Sequence, residues 1–509
     1  MDGTAEEVLW CRLLSQESHE IKFFRHRPLL HFPYRKVEQS LTLTAVGNIH
    51  MSSPPLIAKP EEIDISEKRG NHTVSIIGCG QNGILHAYLL AEAGFKVICV
   101  DADQTVVSLL SKGKVPFLKR EMEAKLRNHV RTGSLRATND TKAAVSQSDV
   151  IVVTVPVKVD EKRKADYSKI ENACKQVGSS LQHGSLVIVA STMGFGATEG
   201  MIKETLENTS GLKAGTDFGL AYSPAGVLNT QTGDSLLSQE RIVAGTDKSS
   251  LNAASTILET ATKNRVKKAQ NIKTAELAVL LEIMQRDVNV ALANELAILC
   301  EKAGADYLDL DGLLDVSERP KLSLPVLANS DIQREPYLLL ENTEDLGMKL
   351  RMLTVAREIN EETAKHAVNL TKDALRNCGK TLRRARVSLL GISQTQNAKG
   401  APKKILKELA KLLEAKGAKV GLYDPYYSDN ELGDIKGAFK KTLSDAVENA
   451  DCVMILSGHD QFKRLNLKKL KALMKMPAAI VDLEGIIEVD KVEKEGFIYR
   501  GLGRGVWTK

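Results

Sequence analysis

Residues 72–103 read HTVSIIGCGQNGILHAYLLAEAGFKVICVDAD, and this stretch decides the fold. TVSIIG predicts a buried strand, ILHAYLLAEA a helix over 83–93, and KVICVDAD a second strand. GCGQNG at 78–83 lies where the first strand turns into the helix. In such a turn Gly78 permits the sharp bend, Gly80 lets backbone approach a pyrophosphate, and Gly83 lets helix and strand pack closely. The helix N-terminus offers free N–H groups and partial positive charge to phosphates. Asp101 ends the second strand, where its carboxylate can accept from both ribose hydroxyls and would repel a 2′-phosphate. The expectation is a Rossmann-type domain that binds NAD rather than NADP. The same pattern would persist in a domain whose pocket had decayed.

Further strands are predicted at 149–156 (DVIVVTVP), 185–192 (SLVIVAST) and 217–224 (DFGLAYSP). Their alternation with helical stretches predicts a parallel sheet with crossover helices. Residues 270–304 read as one long helix, with no internal Gly or Pro and a stop at Gly304. More helix is predicted at 343–378. A second α/β unit opens with RVSLLG at 386, followed by a helix over 402–416 and by KVGLYDPY, DCVMILSG and AAIVDLEG. The fold class is therefore α/β, with two Rossmann-like parallel-sheet domains joined by a long central helix and a helical middle domain. The predicted divisions are an unpatterned tail (1–70), a dinucleotide domain (71–267), a helical and dimerising domain (268–378) and a second Rossmann-like domain (379–509). The second domain lacks the glycine fingerprint, because GISQTQNAKGAP follows its first strand.

The tail contains KFFRHRPLLHFPYRK (22–36), a basic aromatic stretch that could meet an anionic surface but fits a disordered segment better. Met51 is an alternative start, because compact patterning begins only after it. The chain has 509 residues, 43% hydrophobic and 26% charged, which suffices for real cores. A net charge of +6 is too small and too mixed to argue for nucleic acid. The seven cysteines form no CxxC pair, so neither a metal site nor a disulfide framework is expected, and a reducing cytoplasm fits. No apolar run approaches the roughly 18 residues of a membrane span.

From Val74 onward the chain resembles the UDP-glucose/GDP-mannose dehydrogenase family, nearest the branch that oxidises UDP-N-acetylmannosamine. The resemblance rests on TVPVKVDEKRKADYSKIENA (154–173), STMGFGATE (191–199), GLAYSPAGV (219–227), AELAVLLEIMQRDVNVALANELAILCEKAG (275–304), EPYLL (335–339), AREIN (356–360), YDPYY (423–427) and GLGRG (501–505). It implies NAD as coenzyme, contacted by Gly78, Gly80, Gln81, Asn82, Gly83, Asp101, Val155, Pro156 and Thr192. It also implies a nucleotide sugar at the second domain, a homodimer built on the 270–304 helix, and a setting in polysaccharide or glycoprotein assembly. The helix keeps an apolar stripe for that dimer through Val288, Ala291, Leu292, Leu296 and Leu299, although the same stripe would suit packing within the chain.

Family members oxidise a sugar C6 alcohol to a carboxylate in two hydride transfers. A Cys captures the intermediate aldehyde, and a Lys and an Asn on the long helix stabilise the oxyanion and hold water. A Glu in the family's SPER stretch and an Asp after the Cys assist the water and proton steps. Matched onto this chain, the Cys position is Asp331, the Lys and Asn positions are Val279 and Ile283, and the SPER Glu and Arg positions are Ala225 and Gly226. Thr192 and Glu276 match, and Glu335 is the surviving carboxylate after the nucleophile position. Lys399 is the one cation of a shortened substrate loop, and Cys300 sits inside the long helix.

Three readings follow. The first is a catalytically degenerate relative that keeps NAD and serves in binding, regulation or scaffolding, with an active paralogue as a candidate partner. The second is an enzyme of altered chemistry, such as a single alcohol–aldehyde step, with Asp331, Glu335 or His459 as acid/base groups. For His459 a plain surface-loop role is the simpler assignment. The third is an active dehydrogenase with a relocated nucleophile.

Overall fold

A computed structural model describes residues 56, 58–115, 120–160, 162–224, 240–314, 323–327, 335–394, 396–399, 402–403, 405–428 and 438–505. Ala225, Gly226 and Asp331, and the basic stretch 22–36, lie outside the described residues.

The first sheet is built from β1 (Thr73–Ile77), β2 (Lys96–Val100), β3 (Leu135–Thr138), β4 (Val150–Val153), β7 (Leu186–Val189), β8 (Gly219–Tyr222), β9 (Arg241–Gly245) and β10 (Val266–Lys268). Between β4 and β7 a small hairpin pairs β5 (Lys158–Val159) with β6 (Ala165–Asp166). The spatial order is β10-β9-β8-β7-β4-β1-β2-β3, so the chain reverses direction of growth between β1 and β4. That reversal opens the crevice at the carboxyl ends of the strands where ligands bind in doubly wound sheets. One departure from the expected parallel sheet is β9, which runs antiparallel to β8 with Tyr222 opposite Ala244. Its strand signal, ERIVAG, is too short and too little alternating to stand out in the sequence.

The strands read as continuous apolar runs because both faces are covered. Val74, Ile76, Val97, Val150 and Ile188 share one core with the crossover helix Gln81–Glu92, and Ile77, Ile151, Val153 and Val187 form a second core on the other face. The tail expectation ends earlier than predicted. Leu56, Ala58 and Ile63 are buried in the first core, and the short helix Pro60–Ile63 rests on the helix Lys248–Thr262. Arg69 Nη1 donates to the Ala93 carbonyl at 3.3 Å, which fastens this segment to the domain. A few isolated apolar residues carry that anchoring, with no periodicity to announce it.

The long helix runs Ile272–Ala303, capped by Asn271, whose side chain accepts from Thr274 N. The predicted helix at 343–378 is two helices, Pro336–Asp345 and Arg351–Asn377, broken at Gly347. The second long helix is clasped to the first by a buried polar network. Arg357 Nη1 donates to Asp287 Oδ1 at 2.6 Å, Asn360 Nδ2 to the same oxygen at 3.0 Å, and Asn294 Nδ2 to Asn360 Oδ1 at 3.0 Å. The apolar stripe is only partly as expected. Ala291 packs inward, whereas Leu292 and Leu299 are 47% and 58% exposed. Helical spacing turns Ala291 toward the second helix and leaves the leucines outside.

The second sheet has strands β11 (Arg386–Leu390), β12 (Lys419–Tyr423), β13 (Cys452–Ile455), β14 (Ala479–Asp482) and β15 (Ile498–Gly501), all parallel, in the order β12-β11-β13-β14-β15. This is the second common doubly wound order, with its reversal between β11 and β13. Among the described residues no helix is long and apolar enough to cross a membrane.

Candidate functional site

The GCGQNG turn stands at the crevice of the first sheet. Gly78 adopts φ +95°, where an L side chain is strained, and a Cβ there would lie 3.0 Å from Val155 Cγ2. Gly83 is on the first helical turn, the third residue of a helix that begins at Gln81 rather than at 83. A Cβ on Gly83 would lie 1.9 Å from the Gly78 carbonyl oxygen and 2.7 Å from Thr154 Oγ1. Thr154 Oγ1 itself donates to that carbonyl at 2.5 Å. Gly80 differs: a Cβ there would meet nothing within 4 Å, so its backbone faces open space at the helix start. Open backbone at the helix start and a close-packed turn beneath it are what a pyrophosphate needs, and the residues present fit the group.

Asp101 pins the turn from the neighbouring strand. Its Oδ2 accepts from Cys79 N at 2.7 Å and its Oδ1 from Asp103 N at 2.9 Å. Each oxygen keeps acceptor capacity, and the residue is half-buried, so it can still take ribose hydroxyls. Gln81, Asn82 and Pro156 are exposed around the turn, and Val155 is half-buried beneath Gly78. The structure thus brings together Gly78, Gly80, Gln81, Asn82, Gly83, Asp101, Val155 and Pro156.

Thr192 belongs to a neighbouring cluster beyond β7. It shares a hydrogen bond with Glu335, whose carboxyl is pushed up to about 7 by burial, against the opposing effects of the Arg286 charge and of that hydrogen bond. Glu276, fully buried one turn into the long helix, accepts from Gly196 N at 2.5 Å and Thr198 N at 2.9 Å. Burial pushes it up to about 7 as well, despite those hydrogen bonds. On the same helix Val279 and Ile283 are buried, at 5% and 2% exposure, one turn apart. Arg286 carries no signal in the sequence beyond its place in the 275–304 stretch.

Among the described residues all six cysteines are buried and free. Burial raises the Cys300 thiol, and its position against Ala293 and Tyr307 is a packing position.

In the second domain His459 is not a surface-loop residue, because it is 0% exposed. Its Nδ1 accepts from Asn397 N at 2.9 Å, which leaves the proton on Nε2 to donate to Asp424 Oδ2 at 3.2 Å. Asp424 also accepts from Ile392 N at 2.7 Å, Ser393 N at 2.9 Å and Tyr426 N at 2.8 Å. Burial works to raise its pKa, but hydrogen bonds from His459, Ser393 and Tyr426 hold it below the ordinary value. His459 is therefore committed to holding a turn and is removed as an acid/base candidate. SGHD looks exposed in sequence because its partners are distant along the chain. Asp424 occupies the place in its sheet that Asp101 has in the first, at the end of the second strand. Yet it is 1% exposed and saturated by donors, so it is closed to a ribose. Lys399 lies 6.0 Å from the Tyr427 ring centroid.

Comparison with known proteins agrees with this architecture. Residues 72–262 match the NAD-binding domain of the UDP-glucose/GDP-mannose dehydrogenase family, 273–362 its central domain and 403–489 its UDP-binding domain. A UDP-N-acetyl-D-mannosamine dehydrogenase of Pyrococcus horikoshii is 30% identical over 440 residues, covering 85% of this chain and 99% of that protein. A UDP-glucose 6-dehydrogenase of Rhizobium meliloti is 26% identical, covering 85% and 99%. The solved UDP-D-ManNAc dehydrogenase of Pyrococcus horikoshii superposes with a TM-score of 0.76 at 27% identity, covering 85% of this chain and all of that one. The NDP-N-acetyl-D-galactosaminuronic acid dehydrogenase of Methanosarcina mazei gives 0.70 at 27% identity, covering 88% and 99%. The chain belongs to the UDP-glucose/GDP-mannose dehydrogenase family, with NAD as its coenzyme.

Proposed function

We propose that this protein keeps the family's coenzyme cradle but no longer carries out the four-electron oxidation of a nucleotide sugar, and that it acts as a binding or regulatory member of the family. One observation carries the reading. The long-helix face that the resemblance assigns to a Lys and an Asn is the apolar pair Val279 and Ile283, buried beside Glu276. Neither side chain can donate a hydrogen bond to an oxyanion or hold a water, and removing even one such donor typically costs ~10²–10³-fold in rate. Every described thiol is buried, and the nucleophile position in the sequence is Asp331. A carboxylate there cannot form the adduct from which a second hydride leaves.

The contacts assigned to NAD are the backbone of Gly78–Gly83 for the pyrophosphate, Asp101 for the adenosine ribose, and Val155, Pro156 and Thr192 along the crevice. Bound there, NAD would supply a hydride acceptor. The exposed Leu281, Leu292 and Leu299 fall at spacings of eleven and seven on one side of the long helix, and a second copy of the chain is the occupant assigned to that side. The second domain offers a crevice between β11 and β13 for a nucleotide sugar, and the setting is cytoplasmic.

A second reading, a single alcohol-to-aldehyde oxidation, is favoured by Glu335. Its carboxyl sits half-buried beside Thr192, with its pKa pushed up to about 7 by burial. Such a group can take a proton from an alcohol near neutral pH. NADH yield with a panel of UDP- and GDP-sugars separates the readings. No NADH, alongside saturable NAD binding, is the expected result. One NADH per sugar would establish the second reading, and two would overturn both.

A further inference from the structure

Arg241 opens β9, just beyond the carboxyl end of β8. Strand alternation puts it on the face of Val243, which packs in the same core as the fingerprint helix. Its Nη2 donates to His86 Nε2 at 2.8 Å and to the Ser223 carbonyl at 3.1 Å. Its Nε is sealed from solvent with no partner. Among the described residues no carboxylate pairs with it. Burial pushes the guanidinium down only to about 10, so it stays cationic near neutral pH.

A guanidinium can only donate. His86 Nε2 must therefore accept, and the imidazole proton lies on Nδ1, which donates to the Asn82 carbonyl at 2.8 Å. Burial, then the neighbouring Arg241 charge, lowers His86 to about 3 and keeps it neutral. Asn82 is the fifth residue of the GCGQNG turn. The chain Arg241–His86–Asn82 thus ties a half-buried, uncompensated cation to the first turn of the helix on which the pyrophosphate is placed. A partly buried charge with no counter-ion is costly, and an anion bound at the start of this helix would offset part of that cost.

We propose that Arg241 is a coenzyme-positioning residue, holding the start of the fingerprint helix through neutral His86 and lending its unpaired charge to the pyrophosphate of NAD. The inference rests on NAD occupying this cradle. Calorimetric titration with NAD, ADP-ribose and adenosine tests it. Arg241→Met should weaken NAD and ADP-ribose alike by about tenfold or more, the direction expected when one cation is withdrawn from the neighbourhood of an anionic ligand. Adenosine affinity should be unchanged, and the loss should shrink as salt is raised. Arg241→Gln keeps a donor for Ser223 and His86 without the charge, and should show the same selective loss if the methionine variant does not fold. Arg241→Lys should recover most of the affinity.

Unchanged NAD binding in Arg241→Gln, or an equal loss for adenosine, would overturn the proposal. So would nitrogen-15 NMR showing His86 protonated near neutral pH. Failure of the wild-type chain to bind NAD at all would overturn the coenzyme reading as well, which distinguishes the two failures.

Discussion

Gly80 and Gly83 stand three residues apart in one turn, yet alanine should affect them in opposite ways. At Gly83 the new Cβ would sit 1.9 Å from the Gly78 carbonyl oxygen, which is backbone and cannot swing aside. Reaching an ordinary contact distance would require the helix Gln81–Glu92 to move away from β1 by more than about 1 Å. Overpacking of this kind typically costs about 1–3 kcal/mol, and more where backbone must shift. At Gly80 the added Cβ would meet nothing within 4 Å, and the backbone there, at φ −68° and ψ −172°, suits alanine. Reduced freedom of the unfolded chain favours alanine by about 0.4–1 kcal/mol, offset by its poorer suitability as a helix cap. Gly80→Ala should therefore keep wild-type stability within about 0.5 kcal/mol. Its methyl, however, intrudes on the approach of the pyrophosphate, and NAD affinity should fall tenfold or more, equivalent to about 1.4 kcal/mol. Thermal denaturation paired with NAD titration reads both quantities. Gly83→Ala should lose stability and affinity together, Gly80→Ala affinity alone. A Gly80→Ala protein that binds NAD as well as wild type would refute the placement of the pyrophosphate on this turn.

Asp101→Asn should narrow the preference for NAD over NADP at least tenfold, because the carboxylate charge that repels a 2′-phosphate is removed; competitive titration with the two coenzymes measures this. Arg357→Met should cost about 3–5 kcal/mol in chemical denaturation, because it strands the Asp287 carboxylate between the two long helices. Glu276 and Glu335 are both pushed up to about 7 in the folded state, above their ordinary value of 4.5. The folded chain then binds protons more tightly than the unfolded one. Their contribution to stability is present below about pH 4.5 and is lost as pH rises through about 7, so melting temperature should fall across that window and fall less steeply in Glu335→Gln.

The nucleotide-binding half was legible because its information is local. Strand, glycine turn, helix and acidic strand end follow one another within 72–103, each set by a short-range steric or electrostatic demand. The long helix was legible for the same reason. The two-helix clasp was visible only as two fragments resembling the family, RDVNVALANE and AREIN, and its Asp287–Arg357 contact spans 70 residues. His459 was misread because Asp424 and Asn397 lie 35 and 62 residues away. The packed segment 56–70 rests on Leu56, Ala58 and Ile63, which follow no period. Arg241 and His86 are joined across 155 residues, and only the oddity of a histidine inside the apolar run ILHAYLL could have drawn attention to them.

The central claim is that coenzyme binding persists where sugar-oxidising chemistry does not. A crystal structure of the ternary complex with NAD and a UDP-sugar tests it most directly, through the distance from the sugar's terminal carbon to the nearest sulfur. NAD should lie along Gly78–Gly83, with Val279 and Ile283 facing the sugar and no thiol near it. A cysteine sulfur within the ~3–3.5 Å of a reactive approach to that carbon would contradict the account.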